Sequence, residues 1–156
     1  MKSPDIVSLF QATEVELIYK SKRNPKELPT IVTSSCCYDI LINNWDMNKI
    51  ELLEQFCILL LDRKNHCLGF STVSTGGVSG CIADPKIIFA TALKARASGI
   101  IVSHNHPSGN LQPSNADIAI TEKLVAGGKY LDVSVLDHLI ITPHAYYSFA
   151  DEGMMP

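Results

Sequence analysis

Gly99-Ile100-Ile101-Val102-Ser103-His104-Asn105-His106-Pro107 reads as a short buried strand that runs straight into polar chemistry and stops at a proline. Side chains at i and i+2 of a strand point the same way, so His104 and His106 can present two imidazoles to one point. Neutral imidazoles are good zinc ligands. A catalytic site needs a third protein ligand and one open position for water.

Asp117 is the natural third ligand. It sits in the first turn of a helix predicted from Ser114 to Leu124 and closed near Gly127-Gly128, on the face shared with Ile120, Thr121 and Leu124. A carboxylate heading an inward apolar stripe needs a partner, because unpaired buried charge is costly. The same residues, Ser114-Asn115-Ala116-Asp117, also read as a capping box, in which Ser114 caps the helix and Asp117 reaches back. A lone H-x-H likewise suits two hydrogen-bonded loop histidines. The joint pattern is more specific, since two histidines, a proline stop, a serine and a first-turn aspartate meet at one strand-to-helix crossing.

Upstream, Asp84-Pro85 predicts a helix start with Asp84 as N-cap. Phe89, Ala92, Leu93 and Ala97 form its apolar face, and Gly99 is expected to end it. The glycine-rich loop Thr75-Gly76-Gly77-Val78-Ser79-Gly80 lacks the Gly-Lys-Ser/Thr ending of a phosphate-binding loop. Phe56 to Leu61 reads as a strand buried on both faces. The turn Asp62-Arg63-Lys64-Asn65 returns it through Cys67 to Val73 as a hairpin. Ser34 or Ser35 caps a helix through Tyr38, Ile40, Leu41 and Trp45, and Glu14 to Lys20 predicts an N-terminal edge strand. Val133 to Leu136, Leu139 to Thr142 and Tyr146 to Phe149 supply closing strands. This order predicts an α/β (α+β) fold, a mixed β-sheet flanked by helices.

Composition narrows the function classes. The 156 residues suit one domain, with 46% hydrophobic and 19% charged residues. A net charge of -3 gives nucleic-acid binding no support, and the basic cluster Lys20, Lys22, Arg23 and Lys26 reads as a solvated loop. Cys36, Cys37, Cys57, Cys67 and Cys81 form no C-x-x-C pair, so reduced thiols in a reducing compartment are expected. The start Met1-Lys2-Ser3-Pro4-Asp5 lacks a signal-peptide core, and the run Phe56 to Leu61 is too short to span a bilayer. A soluble, cytoplasmic protein without membrane contact is the expectation.

His104-x-His106-Pro107, six residues, Ser114, two residues, Asp117 resembles the JAMM (MPN-plus, JAB) metalloprotease motif at every defining position. The run His104-Asn105-His106-Pro107-Ser108-Gly109, with Pro113-Ser114 and Asp137-His138-Leu139-Ile140-Ile141, looks like the RadC branch of that superfamily. The resemblance extends from about Thr33 to Phe149. It implies a JAB/MPN-like, cytidine-deaminase-type architecture over residues 31–156, preceded by a strand-and-loop extension over residues 1–30. It also implies one zinc per chain on His104, His106 and Asp117, with a peptide or isopeptide as substrate. Members of this branch typically carry a helix-hairpin-helix region ahead of the domain, and these 156 residues are not expected to contain one.

The family further implies a glutamate just ahead of a buried strand as general base. Glu54, before Gln55-Phe56-Cys57-Ile58, fits, with Glu51 as the fallback if the register shifts. By the same resemblance Ser114 would stabilise an oxyanion. Asp137-His138 suggests a carboxylate orienting a histidine, against a structural His138 bonded within the sheet. His66 and His144 read as surface residues. Two other functions compete with a zinc metallohydrolase: a non-catalytic module on the same fold, and a DNA-repair accessory suggested only by the family's name. Retention of all three ligands argues against the first, and the charge against the second. A zinc-dependent nucleobase deaminase is a poor fit, since no H-x-E is paired with P-C-x-x-C.

Overall fold

A computed structural model describes residues 27–78 and 80–156, together with Ala12, Glu16, Ile18 and Asn24. The expected strand Glu14 to Lys20 and the basic cluster Lys20, Lys22, Arg23 and Lys26 fall outside what it describes, apart from Glu16 and Ile18. Among the described residues eight elements follow one another: α1 (Ser34–Asn44), β1 (Gln55–Leu61), β2 (Cys67–Thr75), α2 (Pro85–Lys94), β3 (Gly99–Asn105), α3 (Asn115–Leu131), β4 (Ser134–Ile141) and β5 (Tyr146–Ser148). They build a five-stranded sheet in the order β2-β1-β3-β4-β5. Among the described residues only β3 and β4 pair in parallel, joined through α3; every other neighbour is antiparallel. The expected mixed sheet between helices is therefore the fold, and it is consistent with the JAB/MPN architecture.

The two central strands are buried along their whole length, which is why their sequences are continuous apolar runs rather than alternating ones. Their residues divide by parity. Cys57, Leu59 and Leu61 enter a core with Leu41 and Trp45 of the α1 segment. Phe56, Ile58, Leu60, Ile100 and Val102 enter a second core with Ile88, Ala92 and Leu124 of α2 and α3. Each fully buried Leu or Ile contributes about 1.5–3 kcal/mol, so both faces are needed to hold the sheet.

Several local expectations are corrected. Thr33, not Ser34 or Ser35, caps α1, its side chain accepting from Cys36 N. Ser34 is instead bonded to Tyr146 and Asp151. The start of α2 is as predicted, with Asp84 accepting from Lys86 N. Its end comes earlier: the helix stops at Lys94, Arg96 takes a left-handed φ of 58°, and Gly99 opens β3 instead of closing α2. Leu93 is 51% exposed, and Ile88 takes the expected place in the core. The glycines of α3 do not end it, because they serve packing. A Cβ on Gly127 would meet Phe89 at 3.0 Å, and one on Gly128 would meet the Val133 carbonyl at 2.3 Å. The helix closes four residues on, at Asp132, in the left-handed region that a short polar side chain tolerates. The two closing strands around Leu136 and Leu139 are one strand, β4, in which Leu136 is bulged out of register.

Candidate metal centre

β3 delivers His104 one position before its end and His106 just beyond it, and α3 starts opposite them. The two Nε2 atoms lie 2.9 Å apart. Asp117 Oδ1 is 3.2 Å from His104 Nε2, and Asp117 Oδ2 is 3.7 Å from His106 Nε2. One ligand atom from each residue falls within 4.8 Å of the others, and this trio could hold a metal ion. Ligands at zinc-nitrogen distances and tetrahedral angles stand about 3.3 Å apart, close to this spacing.

The chemistry of the donor set fits a cation. His106 Nδ1 faces the Asn110 carbonyl, which can only accept, so the ring proton sits on Nδ1 and the Nε2 lone pair faces the cluster. Burial disfavours the Asp117 carboxylate, but the His104 hydrogen bond and charge, with two bonds from Ser114, outweigh it and hold the carboxyl below the usual range. Asp117 is therefore an anion.

The capping box and the cluster share Asp117 rather than compete for it. Ser114 N and Ser114 Oγ both donate to Asp117 Oδ2 at 2.7 Å, and Asp117 N donates back to Ser114 Oγ at 3.2 Å. Oδ1 is left for His104.

Glu54 lies just ahead of β1, with the same parity as Phe56, which is registered opposite His104. Its backbone is paired on both sides, Glu54 N donating to Gly77 O and Gly76 N to Glu54 O, at 2.9 and 2.8 Å. Gly76 permits this return, since a Cβ there would lie 2.1 Å from the Gly80 carbonyl. Glu54, His106, Ser114 and Asp117 all line one open cleft of about 670 Å³. Its other wall is apolar, with Phe56, Ile82 and Ile120. Glu51 is exposed in the preceding turn, outside that lining.

Asn105, between the two histidines, turns to the opposite face and is fully buried. It donates to Ile50 O and Leu53 O at 2.6 and 2.8 Å and accepts from Gln55 N at 2.7 Å. Those groups bracket Glu54, so one side chain ties the histidine strand to the segment carrying the glutamate. Nothing in the local sequence announces this.

Asp137 and His138 do not form a carboxylate-histidine pair, because successive strand residues face opposite ways. Asp137 accepts from Ser148 Oγ, Ala150 N and His138 N, which pins β5 and the following turn. Desolvation raises its pKa above the carboxylate norm. His138 faces the site: its Nε2 is 2.8 Å from His104 Nδ1 and its Nδ1 is 2.7 Å from Thr121 Oγ1. Phe149 stacks on it at 4.7 Å. Burial, with His104 second, holds His138 well below the usual imidazole pKa, so it is neutral. His66 is half-buried against Asp62 and His144 is exposed, both away from the cluster. Among the described residues no helix is long and apolar enough to cross a membrane.

Comparison with known proteins gives the family. Residues 31–154 match the RadC-like JAB domain family. A UPF0758 protein of Flavobacterium johnsoniae is 48% identical over 101 residues, 65% of this chain and 44% of its own length. A UPF0758 protein of Methanosarcina mazei is 45% identical over 102 residues, covering 65% of this chain and 44% of the relative. One from Thermotoga maritima is 43% identical over 96 residues, 62% of this chain and 43% of the relative. The chain thus spans less than half the length of these relatives. With the family match covering nearly all of the described fold and the His-His-Asp cluster at its centre, the chain belongs to the RadC-like JAB domain family.

Proposed function

We propose that this domain is a zinc-dependent hydrolase of peptide or isopeptide bonds, with His104, His106 and Asp117 as the zinc ligands. The observation that carries the reading is the convergence of two imidazole nitrogens and one carboxylate at the mouth of a cleft that also holds Glu54. When bound, zinc would supply Lewis acidity towards a carbonyl and lower the pKa of water. Glu54 takes the proton of the attacking water and delivers it to the leaving amine. Ser114 caps α3 through an oxygen lone pair, while its hydroxyl proton is free to turn from Asp117 towards a developing oxyanion. The apolar wall excludes water and accommodates a side chain of the substrate beside the scissile bond.

The test joins metal content to turnover. Protein purified without chelator holds about one zinc per chain, and a panel of peptide and isopeptide substrates is screened for cleavage. Glu54→Gln keeps the zinc and the melting temperature but loses ~100-fold or more in rate, the usual general-base contribution. Full activity in Glu54→Gln, or stoichiometric zinc in the His104→Ala/His106→Ala double variant, would refute the assignment.

A further inference from the structure

Glu54 reaches the cleft from the chain just ahead of β1, and two peptide planes meet at its Cα. Those planes set its φ and ψ, and with them the direction in which the side chain leaves the backbone. The first plane carries Leu53 O and Glu54 N, the second Glu54 O and Gln55 N. All four groups are hydrogen-bonded, shared between two holders. The glycine loop takes the groups of Glu54 itself: Glu54 N donates to Gly77 O at 2.9 Å and Gly76 N donates to Glu54 O at 2.8 Å. Asn105 takes the outer two, its Nδ2 donating to Leu53 O at 2.8 Å and its Oδ1 accepting from Gln55 N at 2.7 Å. Each plane is therefore held at both edges, once from the loop and once from β3.

The surroundings also fix which way the Asn105 amide points. Its Nδ2 donates to a further carbonyl, Ile50 O, at 2.6 Å. Carbonyls only accept and a backbone N–H only donates. The reversed amide would set its oxygen against two carbonyl oxygens and its NH2 against an N–H. An aspartate here would supply no donor to either carbonyl. Asn105 is 0% exposed, so water does not replace a lost bond. The registered pairing of β1 with β3 ends at Phe56 and His104. One residue further, the Asn105 side chain takes over from the ladder.

We infer that Asn105 is the positioning residue of the general base, coupling the direction of the Glu54 side chain to the strand end that carries His104 and His106. The inference rests on the proposed role of Glu54. A displacement of β3 carries the imidazoles and the clamp together, so Glu54 keeps its place relative to the cluster.

A residue serving the fold alone would lower stability and leave turnover by the folded protein unchanged. The full chain is therefore compared with Asn105→Ala, Glu54→Gln and the double variant, at a temperature where circular dichroism shows each to be folded. Crystal structures without added zinc give the first readout. In Asn105→Ala the Glu54 carboxylate moves by about 1 Å or more, while His104, His106 and Asp117 superpose on the parent. Peptide hydrolysis gives the second. Asn105→Ala lowers kcat by about 100-fold, the scale for such a misplacement, and keeps KM and zinc content. In the Glu54→Gln background the same substitution changes kcat by less than about twofold, because a residue acting through Glu54 has nothing left to position. Asn105→Ser leaves room for a water beside the three backbone groups. It shows the same changes at smaller size, and carries the test if the alanine variant does not fold. A Glu54 carboxylate unmoved in both variants overturns the inference, as does a full further loss of kcat in the Glu54→Gln background. A parent that cleaves no peptide, while Asn105→Ala displaces Glu54, upholds the clamp and overturns the hydrolase reading, so the two failures are distinct.

Discussion

Substituting Asp117 separates its two jobs, because each can be measured with the other silent. In chelator the carboxylate accepts from Ser114 N and Ser114 Oγ, both at 2.7 Å, as a cap, and pairs with His104 Nε2 at 3.2 Å. Asp117→Ala removes both bonds at an exposed helix start, a loss of about 1–2 kcal/mol. For a domain of this size that lowers the melting temperature by about 2–8 °C. Asp117→Asn keeps one oxygen for Ser114 and should stay within about 1 kcal/mol of the parent. Zinc adds the second job. At a free concentration one hundred times its Kd the parent gains about 2.7 kcal/mol, a rise of about 5–11 °C. An amide is a weak zinc ligand, so the same zinc should raise Asp117→Asn by less than about 2 °C. Differential scanning calorimetry of three proteins, with chelator and with buffered zinc, gives all six numbers. A full zinc-induced rise in Asp117→Asn would refute the assignment of Asp117 as a ligand. An unchanged melting temperature for Asp117→Ala in chelator would refute the capping role.

Other substitutions test the supports of the site. Asn105→Ala leaves Gln55 N and the carbonyls of Ile50 and Leu53 without their buried partner; urea unfolding should show a loss of about 2–5 kcal/mol, with zinc still bound. Asp137→Ala strands Ser148 Oγ and the amides of His138 and Ala150 and should cost about 2–4 kcal/mol by the same assay. Asp137→Asn should be near neutral at pH 7. Because the folded pKa of Asp137 lies above its unfolded value, its contribution is fully present below the unfolded pKa and lost as pH rises through the folded one. The parent should therefore lose stability relative to Asp137→Asn on going from pH 3 to pH 7, and the opposite slope would sink that reading. Gly128→Ala gains helix propensity of about 1 kcal/mol, yet its Cβ must displace the Val133 carbonyl. A net loss in melting temperature is the expected sign.

The clustering of His104, His106 and Asp117 was legible in the sequence because its geometry is local. Strand alternation puts His104 and His106 on one side, and the capping pattern that starts α3 puts Asp117 in its first turn. The mixed sheet was legible for the same reason, since its two central strands are unbroken apolar runs. What serves that site was not legible. His138, Thr121 and Asn105 meet partners 17 to 55 residues away, and no spacing rule reaches that far. The bulge at Leu136 sets which of Asp137 and His138 faces the His104-His106-Asp117 cluster, and it exists only through pairing with β3. Gly127 and Gly128 likewise read as a helix stop until Phe89 and Val133 are packed against them, when they become the bare surface that lets α3 approach its neighbours. A residue's own conformational preference is written into the chain, whereas what its side chain meets across the core depends on pairing and packing that exist only once the sheet has formed.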